Sequence, residues 1–401
     1  MRFSPRWTLV LLALSLAGCM RASGRHERDR RFIASWTASP QPAEPPLRVE
    51  GQTLRQIVRL SLGGERIAVK LSNAYGTTPL TIGAAHVAFA RAAAANVTGS
   101  DRALTFAGAT SVTIPPGALV VSDALPLPVS ASTDLAVSLY FPGAQKIETE
   151  HATAEQTSYL SAAGDFSGAE TFRPAGASES WYVLCGVDVE TTANAELIVA
   201  FGDSITDGME STTDANHRWP DFLAARLQTV KHAPPRAVVN AGISGNAILR
   251  DLGGVNALAR LDRDVLAQPG VKFVIVLLGI NDIIIPDASA ATVAQLIAGH
   301  RQIIDRAHAL GLTVFGGTIM PFDGTQLHTA AGETKRDALN RWIRTSNAYD
   351  GVIDFDRVLR DPQNPTFLAA PFDSGDHLHP NDFGYKAMSD AVDLELFVRA
   401  R

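Results

Sequence analysis

A serine stands where an apolar run ends. Residues 198–208 read Ile-Val-Ala-Phe-Gly-Asp-Ser-Ile-Thr-Asp-Gly. The run from Leu197 to Phe201 has the texture of a strand buried on both faces, and Ser204 follows at its exit into the next element. Open α/β sheets build their sites at the carboxyl ends of central strands, and nucleophilic catalysis would give a hydroxyl there a task. The plainer reading of Gly-Asp-Ser is a turn with a capping serine, and the triplet alone weighs equally for both. Three later segments decide. Asn240-Ala-Gly-Ile-Ser-Gly245-Asn246 follows the short apolar run Ala237-Val-Val. Gly279-Ile-Asn281-Asp282 follows Phe273 to Leu278. Asp376-His-Leu-His379-Pro380 lies near the C-terminus. Each falls after an apolar run or in a loop, where sheet-end sites collect.

These four blocks, in this order, resemble those of the SGNH (GDSL-type) hydrolase family, and the resemblance spans roughly residues 195–400. It implies Ser204 as nucleophile, His379 as general base and Asp376 as its orienting partner. It further implies an oxyanion hole made of the Ser204 and Gly245 backbone N–H groups and the Asn281 amide. The residue types suit the work. A serine hydroxyl attacks poorly until a base takes its proton. Histidine can take and return a proton near neutral pH, and a carboxylate on its far nitrogen fixes the tautomer and stabilises the imidazolium. One oxyanion donor is worth about 3 kcal/mol of barrier, and glycine at 245 lets the backbone approach closely. The segment 202–206, Gly-Asp-Ser-Ile-Thr, does not fit the Gly-x-Ser-x-Gly elbow of the α/β-hydrolases.

The neighbours of these residues have plainer expectations. His377 is an equally near imidazole, but the family pattern is variable there, so His379 is preferred. Asp282 reads as a turn or capping residue, and Asp203 as a holder of its own loop through backbone N–H groups. Asp207, Asp354, Asp356 and Asp373 read as surface or loop-ordering carboxylates. Asn246 either supports the oxyanion loop or satisfies a turn. Tyr385 and Phe383 are expected to pack the last helix. His86, His217 and His308 show no metal-ligand spacing, so no metal is expected and no cofactor is implied.

The first 19 residues have a secretory character. Arg2 and Arg6 precede an apolar stretch from Trp7 to Leu16, and Leu16-Ala-Gly-Cys19 resembles a bacterial lipobox. The expectation is a lipoprotein with Cys19 as first mature residue and lipid carrier, exported and held at a membrane by several acyl chains. Met20 after the cysteine favours the outer membrane, and thus a periplasmic or cell-surface place. Residues 20–31, charged and aperiodic, read as a flexible tether. Cysteine occurs only twice, so Cys185 would be the sole mature cysteine and no internal disulfide could form. A net charge of −6 with no basic stripe gives no support for nucleic acid binding.

Two textures follow. Residues 32–194 look all-β. Arg66-Ile-Ala-Val-Lys-Leu-Ser alternates after a Gly63-Gly64 turn, and Leu54–Leu60, Ala84–Ala90 and Leu135–Phe141 have strand length. This resembles a β-sandwich. Trp36, Tyr75, Trp181 and Tyr182 would either be core or form a sugar-stacking face. From 195 to 401 strands alternate with helices, implying a parallel sheet in a three-layer α/β/α arrangement. Helices are expected over Trp219–Leu227, Ser289–Ala309, Arg336–Asn347 and Tyr385–Val398, and strands over Phe273–Leu278, Leu312–Phe315 and Val352–Phe355. In some family members with an N-terminal β-domain, early segments reach the catalytic face; here that would be Trp36-Thr37-Ala38-Ser39. The expected fold is therefore an SGNH-hydrolase-like domain preceded by an all-β sandwich-like domain. The layout looks like the arylesterase/acylhydrolase branch found beside xylan-degrading enzymes. That implies a serine ester hydrolase removing acetyl or other short acyl groups from a small-molecule or polysaccharide ester. Lipolytic or lysophospholipase action, surface carbohydrate binding and O-acyl transfer are the alternatives.

Overall fold

The computed structural model describes residues 30–192, 194–230, 233–284 and 291–399. The leader with Cys19, residues 20–29 of the expected tether, and the start of the expected Ser289–Ala309 helix lie outside them. Among the described residues regular structure starts at Arg30, inside the expected tether, because Arg30 and Arg31 already pair with Thr192 and Thr191.

The β-rich half contains two large antiparallel sheets. In one, Arg30–Thr37 lies beside Leu184–Thr192, which lies beside Gly64–Ser72. In the other, the long strands Gln41–Arg59 and Asp134–His151 run antiparallel through most of their length. Val187 and Val189 of the first sheet and Leu135, Val137 and Leu139 of the second are fully buried in one shared apolar cluster. β-branched and apolar residues at alternate positions supply such a face. Trp36, Trp181 and Tyr182 are buried, with Trp36 and Trp181 meeting edge to face at 4.9 Å. Tyr75 is taken by Arg263, whose guanidinium lies 5.7 Å from its ring centroid. These four therefore form no sugar-stacking face.

The second half is a five-stranded sheet in which every pairing is parallel. Its spatial order is Arg236–Gly242, Glu196–Gly202, Val271–Leu277, Thr313–Gly317, Gly351–Ile353. The first strand in sequence thus lies between the second and the third, so the chain reverses direction across the sheet after it. Right-handed crossovers then place the helix between strands one and two on one face and the helices between strands three, four and five on the other. Accordingly Trp219–Leu227 packs with Asp382–Ala391, and Val293–His308 packs with Ala330–Thr345.

Some expected boundaries move. The strand near 352 ends at Ile353, because Asp354 caps a short helix, Phe355–Leu359, through Arg357 N–H. The closing helix is two pieces: Asp382–Ala391 ends where Val392 turns extended, and Leu396–Arg399 follows. Phe383 does not pack. Asn381 caps the helix through Gly384 N–H, so Gly384, Tyr385 and Met388 face inward while Phe383 is left 73% exposed.

The halves are joined. Ala34 N–H bonds Pro269 O at 3.0 Å, Thr37 Oγ1 bonds Asn240 O at 3.0 Å, and Gln228 Nε2 bonds Ser61 O at 3.1 Å. A cavity of about 310 Å³ lies between them, lined in part by Ser39, Lys70, Cys185 and Arg263. Burial pushes the Cys185 thiol up to about 12.

Candidate active site

The switch in strand order puts three loops side by side. Gly202 is in register with Gly242 on one side and Leu277 on the other, so the chain leaves the sheet together after residues 202, 242 and 277. That is the crevice in which doubly wound sheets hold ligands.

Ser204 opens a four-residue helix, Ser204–Asp207. Asp203 caps it by accepting Ile205 N–H at 3.1 Å, as expected of that residue. Burial raises the Asp203 carboxyl to about 7, against the pull of the Ile205 N–H. Ser204 is 5% exposed, and its Oγ lies 2.8 Å from His379 Nε2. His379 Nδ1 lies 2.5 Å from Asp376 Oδ2. Since a carboxylate accepts, Nδ1 carries the hydrogen there and Nε2 is left with a lone pair facing the serine hydroxyl. Burial alone would raise the Asp376 carboxyl. The His379 ring and the backbone N–H groups of His379 and Leu378 outweigh it and hold the group well below the usual carboxylate range. His377 is turned away: at φ +64° it points at Asp373, 2.6 Å from Nδ1 to Oδ2.

The residues expected to form the oxyanion hole lie on the two neighbouring loops. Gly245 adopts φ +78°, a conformation that costs glycine little and other residues more. Asn281 begins the turn after the 271–277 strand and donates one amide hydrogen to Asn246 O at 2.9 Å, which ties the two loops and leaves its second amide hydrogen for another acceptor. Asp282 does more than cap a turn. Its carboxylate accepts Ile248 N–H at 2.8 Å and Leu249 N–H at 3.1 Å, fixing the far side of the Gly245 loop. Asn246 supports that loop: Nδ2 donates to Val255 O at 2.9 Å, and Oδ1 accepts from Arg260 Nε at 2.9 Å.

Two residues that the sequence did not mark, Arg260 and His151, hold this assembly together with Asp207. Arg260 is 1% exposed. Besides Asn246 it bonds Gly202 O and Ala241 O, each at 2.8 Å, at the ends of two strands. Asp207, read as a surface or loop-ordering carboxylate, orders a loop from a buried place, 2% exposed: Oδ2 accepts both Ser244 N–H and Ser244 Oγ–H at 2.8 Å, and Oδ1 lies 2.8 Å from His151 Nε2. His151 comes from the β-rich half, and its Nδ1 lies 3.0 Å from Ser39 O. The Trp36–Ser39 segment thus reaches the loops under the site. Asp356, read in the same way as a surface or loop-ordering carboxylate, is buried, 2% exposed, and paired with Arg336 at 2.7 Å. Asp354 and Asp373 order loops through Arg344 and His377. His86, His217 and His308 each pair with one aspartate. Among the described residues no cluster of three or more His, Cys, Asp or Glu is placed to hold a metal ion.

Residues 200–387 match the model of the GDSL-like Lipase/Acylhydrolase family. Similar solved structures include the inhibitor-bound aryl esterase of M. smegmatis, at 19% identity over 51% of this chain and 98% of that one, TM-score 0.40. A catalytic mutant of an acetylxylan esterase from Geobacillus stearothermophilus has 20% identity over 51% of this chain and 93% of that one, TM-score 0.39. A carbohydrate acetylesterase from Sinorhizobium meliloti has 16% identity over 49% of this chain and 95% of that one, TM-score 0.38. No curated protein matches.

Proposed function

We infer, from the premise that residues 200–387 belong to the GDSL-like lipase/acylhydrolase family and that the chain is a carboxylic ester hydrolase, that it works through an acyl-enzyme on Ser204. The observation that carries this reading is the unbroken chain Asp376–His379–Ser204, with contacts of 2.5 and 2.8 Å. Ser204 Oγ attacks the ester carbonyl carbon while its proton passes to His379 Nε2. Negative charge moves to the carbonyl oxygen, where the Ser204 and Gly245 N–H groups and the free Asn281 amide hydrogen receive it. Collapse breaks the bond to the alcohol oxygen, which takes the proton from His379. Water then attacks the acyl carbon, gives its proton to His379, and on collapse Ser204 Oγ recovers that proton as the acid leaves.

The acyl group in this proposal is short, acetyl first, and the alcohol is a sugar hydroxyl of plant polysaccharide. Support for a short acyl group comes from the burial of Ser204, 5% exposed, and from the fixing of the loop that follows it. The loop after it is pinned to the 382–391 helix by Tyr385 Oη–H to Met209 O at 2.6 Å and Thr212 Oγ1–H to Asp382 at 2.6 Å. The polysaccharide alcohol rests on the β-domain-plus-hydrolase layout alone. The test is a series of p-nitrophenyl esters from acetate to palmitate, with acetylated xylan alongside and Ser204→Ala as control. A steep preference for acetate with acetate release from xylan supports the proposal. Preference for long chains without release from xylan overturns it in favour of lipolysis, and turnover that survives Ser204→Ala removes the acyl-enzyme.

For location, the proposal is an exported lipoprotein anchored through Cys19. Its support is the Leu-Ala-Gly-Cys19 sequence after a basic and then apolar leader. Cys19→Ser should move the protein from the membrane to the soluble fraction; unchanged fractionation counts against a lipid on Cys19.

A further inference from the structure

We propose that His151, supplied by the β-rich half, is a positioning residue for the Ser204 reaction: through Asp207 it holds Ser244, and with it the adjoining Gly245 N–H, where the oxyanion forms. The proposal rests on the acyl-enzyme reading above.

His151 ends the 18-residue strand Asp134–His151 and is 4% exposed. Its ring stacks on Trp181, 5.6 Å between centroids at 29°, and Trp181 is in turn wedged against Trp36. Both ring nitrogens are taken. Ser39 O, a carbonyl, only accepts, so Nδ1 carries a hydrogen. Asp207 Oδ1 faces Nε2 at 2.8 Å, while Asp207 Oδ2 receives two hydrogens from Ser244. A carboxylate with such donors draws a second hydrogen onto the ring, and the pair is then an imidazolium with a carboxylate, buried together. The charged groups around it pull both ways. Arg218, 5.7 Å above the Trp181 ring, opposes the ring's charge. Glu155 faces Asp207 from the β-rich half, and Arg260 attracts Asp207 from the far side. Burial would depress the His151 pKa, but Asp207 and the Ser39 carbonyl outweigh it and raise it.

A buried ion pair is weak evidence for stability, since its desolvation cost offsets much of its attraction. What this one fixes is orientation. Asp207 closes the helix that Ser204 opens, so one turn of helix carries both the nucleophile and the brace of the oxyanion loop. With Oδ1 held by His151, Oδ2 has one direction in which to meet Ser244. Without His151 the carboxylate loses the contact that aims it, and the Gly245 N–H loses its fixed place where the oxyanion forms. Oxyanion donors act through such preorganisation.

The experiment compares the full chain with His151→Phe, His151→Gln and Ser244→Ala. It measures kcat, KM, thermal stability and inhibition by an alkylboronic acid, which forms a tetrahedral anionic adduct on a catalytic serine. His151→Phe should lower kcat about ten- to a hundredfold with KM within about twofold, and weaken the boronic acid by the same factor. His151→Gln should recover most of this, because its amide N–H can reach Asp207. Ser244→Ala, which removes one of the two Ser244 bonds, should lose less than His151→Phe. The combined His151→Phe/Ser244→Ala variant should lose less than the product of the single losses, since both act through one carboxylate. A folded His151→Phe protein with wild-type kcat, or a loss confined to KM with boronic acid affinity intact, overturns the proposal. Should His151→Phe not fold, Ser244→Ala carries the test, and wild-type kcat with unchanged boronic acid affinity in that variant overturns it. Failure of the acyl-enzyme reading looks different: the wild-type protein would then not respond to the boronic acid, and Ser204→Ala would stay active.

Discussion

Two imidazoles stand two positions apart in the loop before the last long helix, and only one meets the serine. His377 is 47% exposed at its side chain and satisfied by Asp373, whereas His379 is 8% exposed and joins Ser204 to Asp376. His377→Ala should therefore keep kcat within about twofold, while His379→Ala should lose at least about a thousandfold on folded protein. Comparable losses in both, measured with a chromogenic acetyl ester, would undo the assignment. If Asn281 serves the oxyanion as proposed, its amide is used only as charge develops, so Asn281→Ala should lower kcat about a hundredfold with little change in KM; a change confined to KM would make Asn281 a substrate-binding group. At this scale the sequence was legible where partners lie close in the chain. Asp376 and His379 are three positions apart, and the chemistry of each is evident from its type. His151 and Asp207 are 56 positions apart and Arg260 and Gly202 are 58, and an isolated histidine, aspartate or arginine gives no sign of what it will meet. The sequence leaves Asp207 open between a surface and a loop-ordering role for that reason: its polarity is answered by groups from two other segments.

The elements around the site are pressed together by backbone approaches that admit no side chain. A Cβ on Gly242 would run into the backbone of Asp207. Gly242→Ala should consequently cost more than about 2 kcal/mol of stability, because backbone cannot yield as a flexible side chain can, and should lower kcat by displacing the Ser204 helix. A melting temperature equal to wild type would show that the helix can shift freely. The loop between the strands Asp134–His151 and Ser158–Ala163 holds a perturbed carboxyl, Glu155. Burial, together with Glu179, Asp207 and Glu210, raises the Glu155 carboxyl to about 7. Between its ordinary value of 4.5 and about 7 the folded protein keeps a proton that the unfolded chain has released, so stability falls as pH rises through that window. Glu155→Gln should accordingly be more stable than wild type at about pH 8, by about 1–2 kcal/mol once solvent screening of this half-buried group is allowed for, and show little gain below about pH 4.5. Urea unfolding at the two ends of the window measures this, and an equal gain at both would exclude the carboxyl as its source. Strands and helices with strong periodicity, such as Trp219–Leu227 and Val271–Leu277, were legible from sequence. Their ends were less so, because caps decide them: Asp354 starts a helix where apolar residues suggested a continuing strand, and Asn381 rotates Phe383 into solvent.

At the scale of the whole molecule the two halves share one core. Ile33 of the β-rich half lies against Gly270, and Ser61 Oγ accepts Val238 N–H at 3.2 Å. The apolar cluster runs without a break from Trp36 and Trp181 to Val238, Leu223 and Phe273. Thermal unfolding should therefore pass through one transition with calorimetric and van't Hoff enthalpies in agreement, with ester hydrolysis lost in the same interval; two separated transitions would mean that the halves stand alone. The change from an all-β to an alternating texture was visible in the sequence, but the docking was not, since it depends on which buried surfaces happen to fit. Cys185 sits at that seam, in the cavity shared with Ser39, Lys70 and Arg263, and its thiol pKa of about 12 leaves almost no thiolate at neutral pH. The molecule thus contains its own chemical reporter. A thiol-specific reagent added to the folded Cys19→Ser protein should react slowly, and its rate should rise whenever the halves part, so that Cys185, already in place, times the opening of the interface without any engineered label.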